Sequence, residues 1–214
     1  MKPKLDVKPE GVAAALAVLG PGLTHEVIKR AVESGYLKRV NCTEFHPKTL
    51  PGTVHRAESI WSLRHDLVPK HGWAPDCASN QELIISPGGA VAIAVVSGDL
   101  NVGTEVEPTT KYDSGTLLRR AIAVNAGQGE LFPETRPPVA DGPAETRATW
   151  LLLSYVAGNE IRYELSLPVQ YGEDNFINLW QNRIMFAPIE IDGIRLPELP
   201  PFARQPDVDV QLKA

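Results

Sequence analysis

Apolar residues recur at helical spacing in the first third of this 214-residue chain, and in alternation or continuous runs after that. Residues 12–19 form an Ala-rich run halted by Gly20, Pro21 and Gly22, which reads as a buried helix closed by a breaker cluster. Thr24 is placed to cap a second helix over 25–34, with Glu26 in its first turn and Gly35 at its end. Its apolar positions Val27, Ile28, Ala31 and Val32 share one face. Thr53 is read as the cap of a third helix over 54–67, with Val54, Ala57, Ile60, Trp61 and Leu67 inward and Pro69 and Gly72 closing it.

Strand patterns follow. Segments 82–85 and 90–96 flank Pro87-Gly88-Gly89, a hairpin turn, and the second is apolar enough for a sheet centre. Leu117, Leu118, Ala121, Ile122 and Val124 give a further helical stripe. Segment 127–148, with Pro133, Pro137, Pro138 and Pro143, has too little apolar surface to offset its ordering entropy and reads as a mobile loop. Segments 150–156 and 160–167, joined at Gly158-Asn159, make the clearest hairpin. On the second, Ile161, Tyr163, Leu165 and Leu167 oppose Glu160, Arg162, Glu164 and Ser166, so one sheet face is buried and the other wet or partner-covered. Segment 176–180 reads as a short helix and 183–191 as a strand interrupted at Pro188. The sum is a single α+β domain over 1–195, N-terminal helices packed on a mostly antiparallel β-sheet, with a Pro-rich tail at 196–214.

Composition narrows the classes. The length suits one sizeable core, and 43% hydrophobic with 22% charged residues is ordinary for a soluble protein. The net charge of −5 is unevenly spread: residues 1–80 carry 11 Lys/Arg against 8 Asp/Glu, and the remainder 10 against 18. That allows an N-terminal surface facing an anionic partner but is far from the basic face of a duplex-DNA clamp. Two cysteines exclude a disulfide framework. Lys2 and Lys4 before the first apolar run imitate a secretory signal, but Asp6, Lys8 and Glu10 crowd a run that is barely long enough for one. A cytoplasmic protein with no membrane partner is expected.

Three stretches carry a resemblance: 46–72 (His-Pro-Lys-Thr-Leu-Pro-Gly-Thr, then Ser-Leu-Arg and Gly-Trp), 92–115 (Ala-Ile-Ala-Val-Val-Ser-Gly-Asp through Pro-Thr-Thr-Lys-Tyr) and 163–188 (Tyr-Glu-Leu-Ser-Leu-Pro, then Trp-Gln-Asn-Arg-Ile). Together they resemble an uncharacterised family of proteins carried by phages, plasmids and integrative elements. The resemblance implies a mobile-element accessory protein and brings no activity, cofactor or catalytic residue.

The densest polar chemistry lies at 107–116, Glu-Pro-Thr-Thr-Lys-Tyr-Asp-Ser-Gly-Thr. With Asp113 or Ser114 capping the next helix, its first amides join Thr109, Thr110, Lys111, Ser114 and Arg119 in a set that suits phosphate or carboxylate. The glycine and Gly-Lys-Ser/Thr order of a P-loop is missing. Lys29, Arg30, Lys38 and Arg39 sit where a recognition helix would run into the first wing strand of a winged helix-turn-helix, although only two helices fit before Val40. Cys42, His46, His71 and Cys77 have neither finger nor ribbon spacing, so no metal site is assigned. Asp99, Glu105 and Glu107, and the pair Glu160 and Glu164, lack the register of metal-assisted or glycosidase chemistry, and a solvated sheet face is the expectation for the latter. No nucleophile-elbow signature occurs. The expected function is a non-catalytic binding module, without cofactor, for a protein or nucleoprotein partner. The alternatives are a nucleic-acid-processing or nucleotide-handling enzyme using the Asp99/Lys111 region, or a DNA-binding protein acting through residues 23–40. Convergence of Asp99, Lys111 and Arg119 in one concavity favours the enzyme; an exposed apolar patch favours the binding module.

Overall fold

Helix-period and strand-period segments sort onto separate layers in a computed structural model of the chain, which describes residues 3–78, 81–112, 118–119, 122–126, 147–172 and 175–194. In chain order the elements are β1 (Lys4–Asp6), α1 (Pro9–Leu19), α2 (His25–Val40), α3 (Leu50–His71), β2 (Ala74–Ala78), β3 (Gln81–Ile85), β4 (Val91–Ser97), β5 (Ala148–Ala157), β6 (Glu160–Tyr171), β7 (Ile177–Met185) and β8 (Ile189–Glu190). A 3-10 turn at Ile191–Gly193 follows. Residues 118, 119 and 122–126 are also helical. Among the described residues the strands form one sheet in the order β1-β7-β6-β5-β4-β3-β2, with β8 pairing β6 beyond the end of β7. Pairing is antiparallel except between β1 and β7 and between β4 and β5. The class is α+β, with the N-terminal helices on a mostly antiparallel sheet.

Both faces of the sheet are covered. On one, Leu16, Ile28, Leu63 and Leu67 from the helices meet Ile93, Leu152, Leu165 and Ile184. On the other, Val102, Leu118 and Ile122 pack on Leu151, Leu153 and Trp180. The alternation of β6 therefore resolves differently from the solvated face expected for Glu160 and Glu164. Ile161, Tyr163, Leu165 and Leu167 are buried under the helices, yet Glu164 and Ser166 on the opposite side are fully buried too. The chain itself covers them, with segment 98–112.

Segment 176–180 is not a helix but the start of β7. Its pairing with β6 satisfies the backbone while Ile177 and Trp180 enter the second core, and that burial outweighs local helix preference. The break at Pro188 stands, separating β7 from β8. β1 and β2 carry little sequence signal because each is paired on one side only, and the sheet edge tolerates Pro75. The expected loop at 127–148 lies outside the described residues up to 146, as do Leu117, Ala121 and the tail from 195.

Helix boundaries move for packing reasons. α2 does not stop at Gly35 but runs to Val40, with the Thr24 hydroxyl accepting from Val27 N as the N-cap expectation required. Gly35 is buried against α3, where a Cβ would collide with Ser59 Oγ and lie 2.6 Å from the His55 carbonyl oxygen. The residue is glycine to allow close helix approach rather than to end a helix. α3 begins at Leu50 with Thr49, not Thr53, in the N-cap position. Its inward face is the expected one only at Ile60 and Leu67: Ala57 is exposed, Trp61 is 56% exposed, and His55, Ser59, Ser62 and Asp66 are buried with Leu63.

Gly35→Ala gains up to about 1 kcal/mol of helix propensity but overpacks against backbone, a cost of about 1–3 kcal/mol. The expected result is a lower Tm in thermal unfolding, with a larger fall for Gly35→Val.

Candidate functional site

The polar segment after β4 is built into the structure by a buried ion pair. Glu164 and Arg183 project from neighbouring strands onto the same sheet face, both fully buried. Arg183 Nε donates to Glu164 Oε1 at 2.9 Å and Nη2 to Oε2 at 2.5 Å. Its remaining donors reach the segment, Nη1 to the Val106 carbonyl at 3.1 Å and Nη2 to that of Thr104 at 2.9 Å. Glu164 also accepts from Gly103 N at 2.8 Å and Ser166 Oγ at 2.6 Å. Desolvating two charges costs several kcal/mol per ion, so a pair this deep is tolerable because both carboxylate oxygens and every guanidinium nitrogen are hydrogen-bonded.

The rest of the segment is committed in the same way. Gly98 and Thr110 form an isolated antiparallel bridge, and a Cβ on Gly98 would strike Val102. Thr110 N donates to the Ile177 carbonyl, and the Thr110 hydroxyl accepts from Ile177 N and donates to the Tyr112 carbonyl. Trp180 Nε1 donates to the Pro108 carbonyl at 2.8 Å. Asp99 accepts from Asn101 N and Nδ2, a local turn. Lys111 lies 5.7 Å from the Tyr112 ring centroid and Arg119 lies 5.8 Å from that of Tyr171. Asp99, Lys111 and Arg119 thus each engage a different neighbour. Thr109 accepts from Asp99 N through its carbonyl, and Ser114 lies outside the described residues.

The other proposed sites are equally local. Lys29 pairs with Glu33 at 3.8 Å and Arg30 with Asp66 at 2.7 Å. Lys38 and Arg39 are exposed at the far end of α2. At 100° per residue, Lys29 and Lys38 fall on opposite sides of the helix. The wing strand of that reading, in 35–40, is instead the last turns of α2, which continues through Gly35 to Val40 before turns at 41–49 lead into α3. Cys42 and Cys77 are free thiols, His46 Nδ1 bonds Thr43, and no metal-holding group of three or more His, Cys, Asp or Glu occurs among the described residues.

Two features that periodicity missed stand out. The first is the polar seam of α3. His55 Nε2 shares a 3.1 Å hydrogen bond with Ser154 Oγ on β5, Ser59 Oγ donates to the His55 carbonyl, and Asp66 holds Arg30. His55 Nδ1 has no partner. Burial, aided by the Arg39 cation, lowers the His55 pKa to about 4, so the ring is neutral near pH 7. Positions 55, 59, 62 and 66 have helical spacing, and that polar period was the available signal.

The second is a groove of about 390 Å³ between α1 and the end of β7, walled by Val7, Val12, Leu16, Met185 and Phe186. His25 lies along it, stacked on Phe186 at 5.3 Å and 3° and sharing a 2.8 Å hydrogen bond with the Tyr163 hydroxyl. Burial, with Glu33 and Glu26 nearby, pushes the Tyr163 pKa well above its usual range, so the phenol stays protonated. A rigid aromatic floor under apolar walls suits the binding of apolar groups.

Comparison with known protein families, curated proteins and solved structures finds no match to the chain or its fold. Among the described residues no helix is long and apolar enough to cross a membrane.

Arg183→Met leaves Glu164 buried and unpaired, an expected loss of about 3–5 kcal/mol in urea unfolding. Adding Glu164→Leu recovers only part of it, because the Thr104 and Val106 carbonyls stay orphaned, and amide exchange at 103–106 quickens in both variants. For His55 the folded pKa lies below the unfolded 6.5. Its contribution is therefore fully present above pH 6.5 and lost as pH falls through 4, about 3 kcal/mol in all. His55→Gln should flatten the pH dependence of Tm over that window.

Proposed function

We propose that this protein is a non-catalytic accessory module that binds a protein partner through α1 and the groove beside it. The reading rests on one observation: α1, Pro-Glu-Gly-Val-Ala-Ala-Ala-Leu-Ala-Val-Leu, has no polar face, yet only Val12, Leu16 and Leu19 are buried. Glu10 is its one charged residue. A helix apolar all round is normally covered on all sides. Here Ala13, Ala14, Ala17 and Val18 face solvent, Val18 at 85% exposure, and Leu5 and Val7 extend the apolar surface from β1. Such a surface beside a preformed groove fits the apolar anchor side chains of a protein interface. The small Ala13 and Ala17, one turn apart, permit close approach of a partner backbone.

The engagement of Asp99, Lys111 and Arg119 at separate places lends the enzyme alternative no support. The acids that pair with Lys29 and Arg30 likewise weaken the DNA reading. The resemblance to mobile-element proteins supplies the context of an accessory role, and free thiols, with Cys77 exposed, fit a reducing cytoplasm.

Ala17→Glu places a charge on the docking face without touching the core. The variant is expected to keep its far-UV spectrum and Tm, to lose binding of a hydrophobic fluorescent probe, and to lose proteins that the wild type retains in a quantitative pull-down from its host. Lys38→Gln should lose none of these. Equal probe binding and equal retention by wild type and Ala17→Glu would refute the assignment.

A further inference from the structure

Away from α1, a second cleft of about 220 Å³ opens at the carboxyl end of β4, between the first turns of α3 and the segment that follows the Gly98–Thr110 bridge. Arg56, Thr49 and Thr53 line it from α3, Ser97 from β4, Gln81 from β3, and Tyr112 from the facing wall. No carboxylate is among its described lining residues.

The Thr53 hydroxyl is committed to the Thr49 carbonyl at 3.2 Å and Gln81 Nε2 to the Glu82 carbonyl at 3.5 Å, but the side chains of Arg56, Thr49 and Ser97 are held by no described residue. Arg56 makes no hydrogen bond or ion pair with any described residue, and Glu82, whose charge it feels, is held by Arg64 at 2.7 Å. Thr49 occupies the N-cap position of α3 without making a cap bond. The hydroxyls of Ser97 and Tyr112 likewise bond no described residue. A guanidinium and hydroxyl donors, with no acid among the described lining residues, match the charge and bonding needs of a tetrahedral oxyanion.

From this we infer that the cleft binds the phosphate group of a small ligand, with Arg56 as its principal charge partner. Thr49 and Ser97 donate to the remaining oxygens. The site does not depend on the docking role of α1, which lies at the β1/β7 side of the sheet.

The test is titration of ¹⁵N-labelled protein with inorganic phosphate and, separately, glycerol phosphate, at ionic strength held constant with sodium chloride. Saturable shifts of the Gly52, Thr53 and Ser97 amides are expected. Affinity should fall about tenfold or more in Arg56→Gln, since a charge-assisted contact is lost, and should fall measurably in Ser97→Ala. Lys38→Gln should bind as the wild type does. Tighter binding of the ester would also support the inference and would place the organic part of the ligand in the cleft. Shifts that never saturate, that chloride alone reproduces, or that Arg56→Gln leaves unchanged would overturn it. Arg56 is exposed, so its variant tests the site without testing the fold.

Discussion

The buried pair of Glu164 and Arg183 is the constraint on which the second face of this sheet depends. It converts a strand face that looks fit for water into the floor of a core. Six hydrogen bonds converge on the two side chains, and three of them reach the backbone of segment 98–112. That segment in turn carries Val102 over Leu153 and receives the Trp180 indole at Pro108. Held by this network, such a pair contributes geometric definition more than net stability. It selects one placement for a loop that is otherwise rich in glycine and exposed apolar side chains.

The helix side obeys a similar rule with weaker groups. α2 and α3 meet closely at Gly35, and the polar atoms trapped there are used across the interface: Arg30 with Asp66, Ser34 with Glu58, and His55 with Ser154 below. Arg64 ties the outer end of α3 to the sheet through Glu82 and the carbonyls of Asp76 and Leu83. These contacts fix how the helices sit on the sheet, and so fix both the groove beside α1 and the cleft at the start of α3. The two concavities lie on different halves of the sheet and differ in chemistry, one apolar with an aromatic floor and the other lined by donors. A single chain of this size can therefore present an apolar docking face and an anion seat without either intruding on the other.

How far the sequence leads differs by element. The breaker cluster at 20–22, the N-cap at Thr24, the Pro87-Gly88-Gly89 turn and the Gly158-Asn159 hairpin are legible because their cause is local: dihedral freedom, capping and side-chain period within a few residues. The polar stripe at His55, Ser59, Ser62 and Asp66 has a helical period too, but apolar period alone puts Trp61 inward. Segment 107–116 drew notice for its density of reactive groups. Within it, the Thr110 hydroxyl is spent on the fold, while Tyr112 lines a cleft whose other wall comes from α3, some sixty residues earlier in the chain.

The sequence by itself determined the class of the fold, the order of most helices and strands, and the inward face of β6, because each follows from short-range periodicity. Tertiary structure decided that Gly35 is a contact and not a stop, that 177–185 is a strand, that Glu164 is core and not surface, and which hydroxyls remain free. The reason is distance along the chain. Glu164 is 61 residues from Gly103 and Arg183 is 79 from Thr104. Pairing over such separations is set by burial and hydrogen-bond satisfaction, which leave no mark on local pattern.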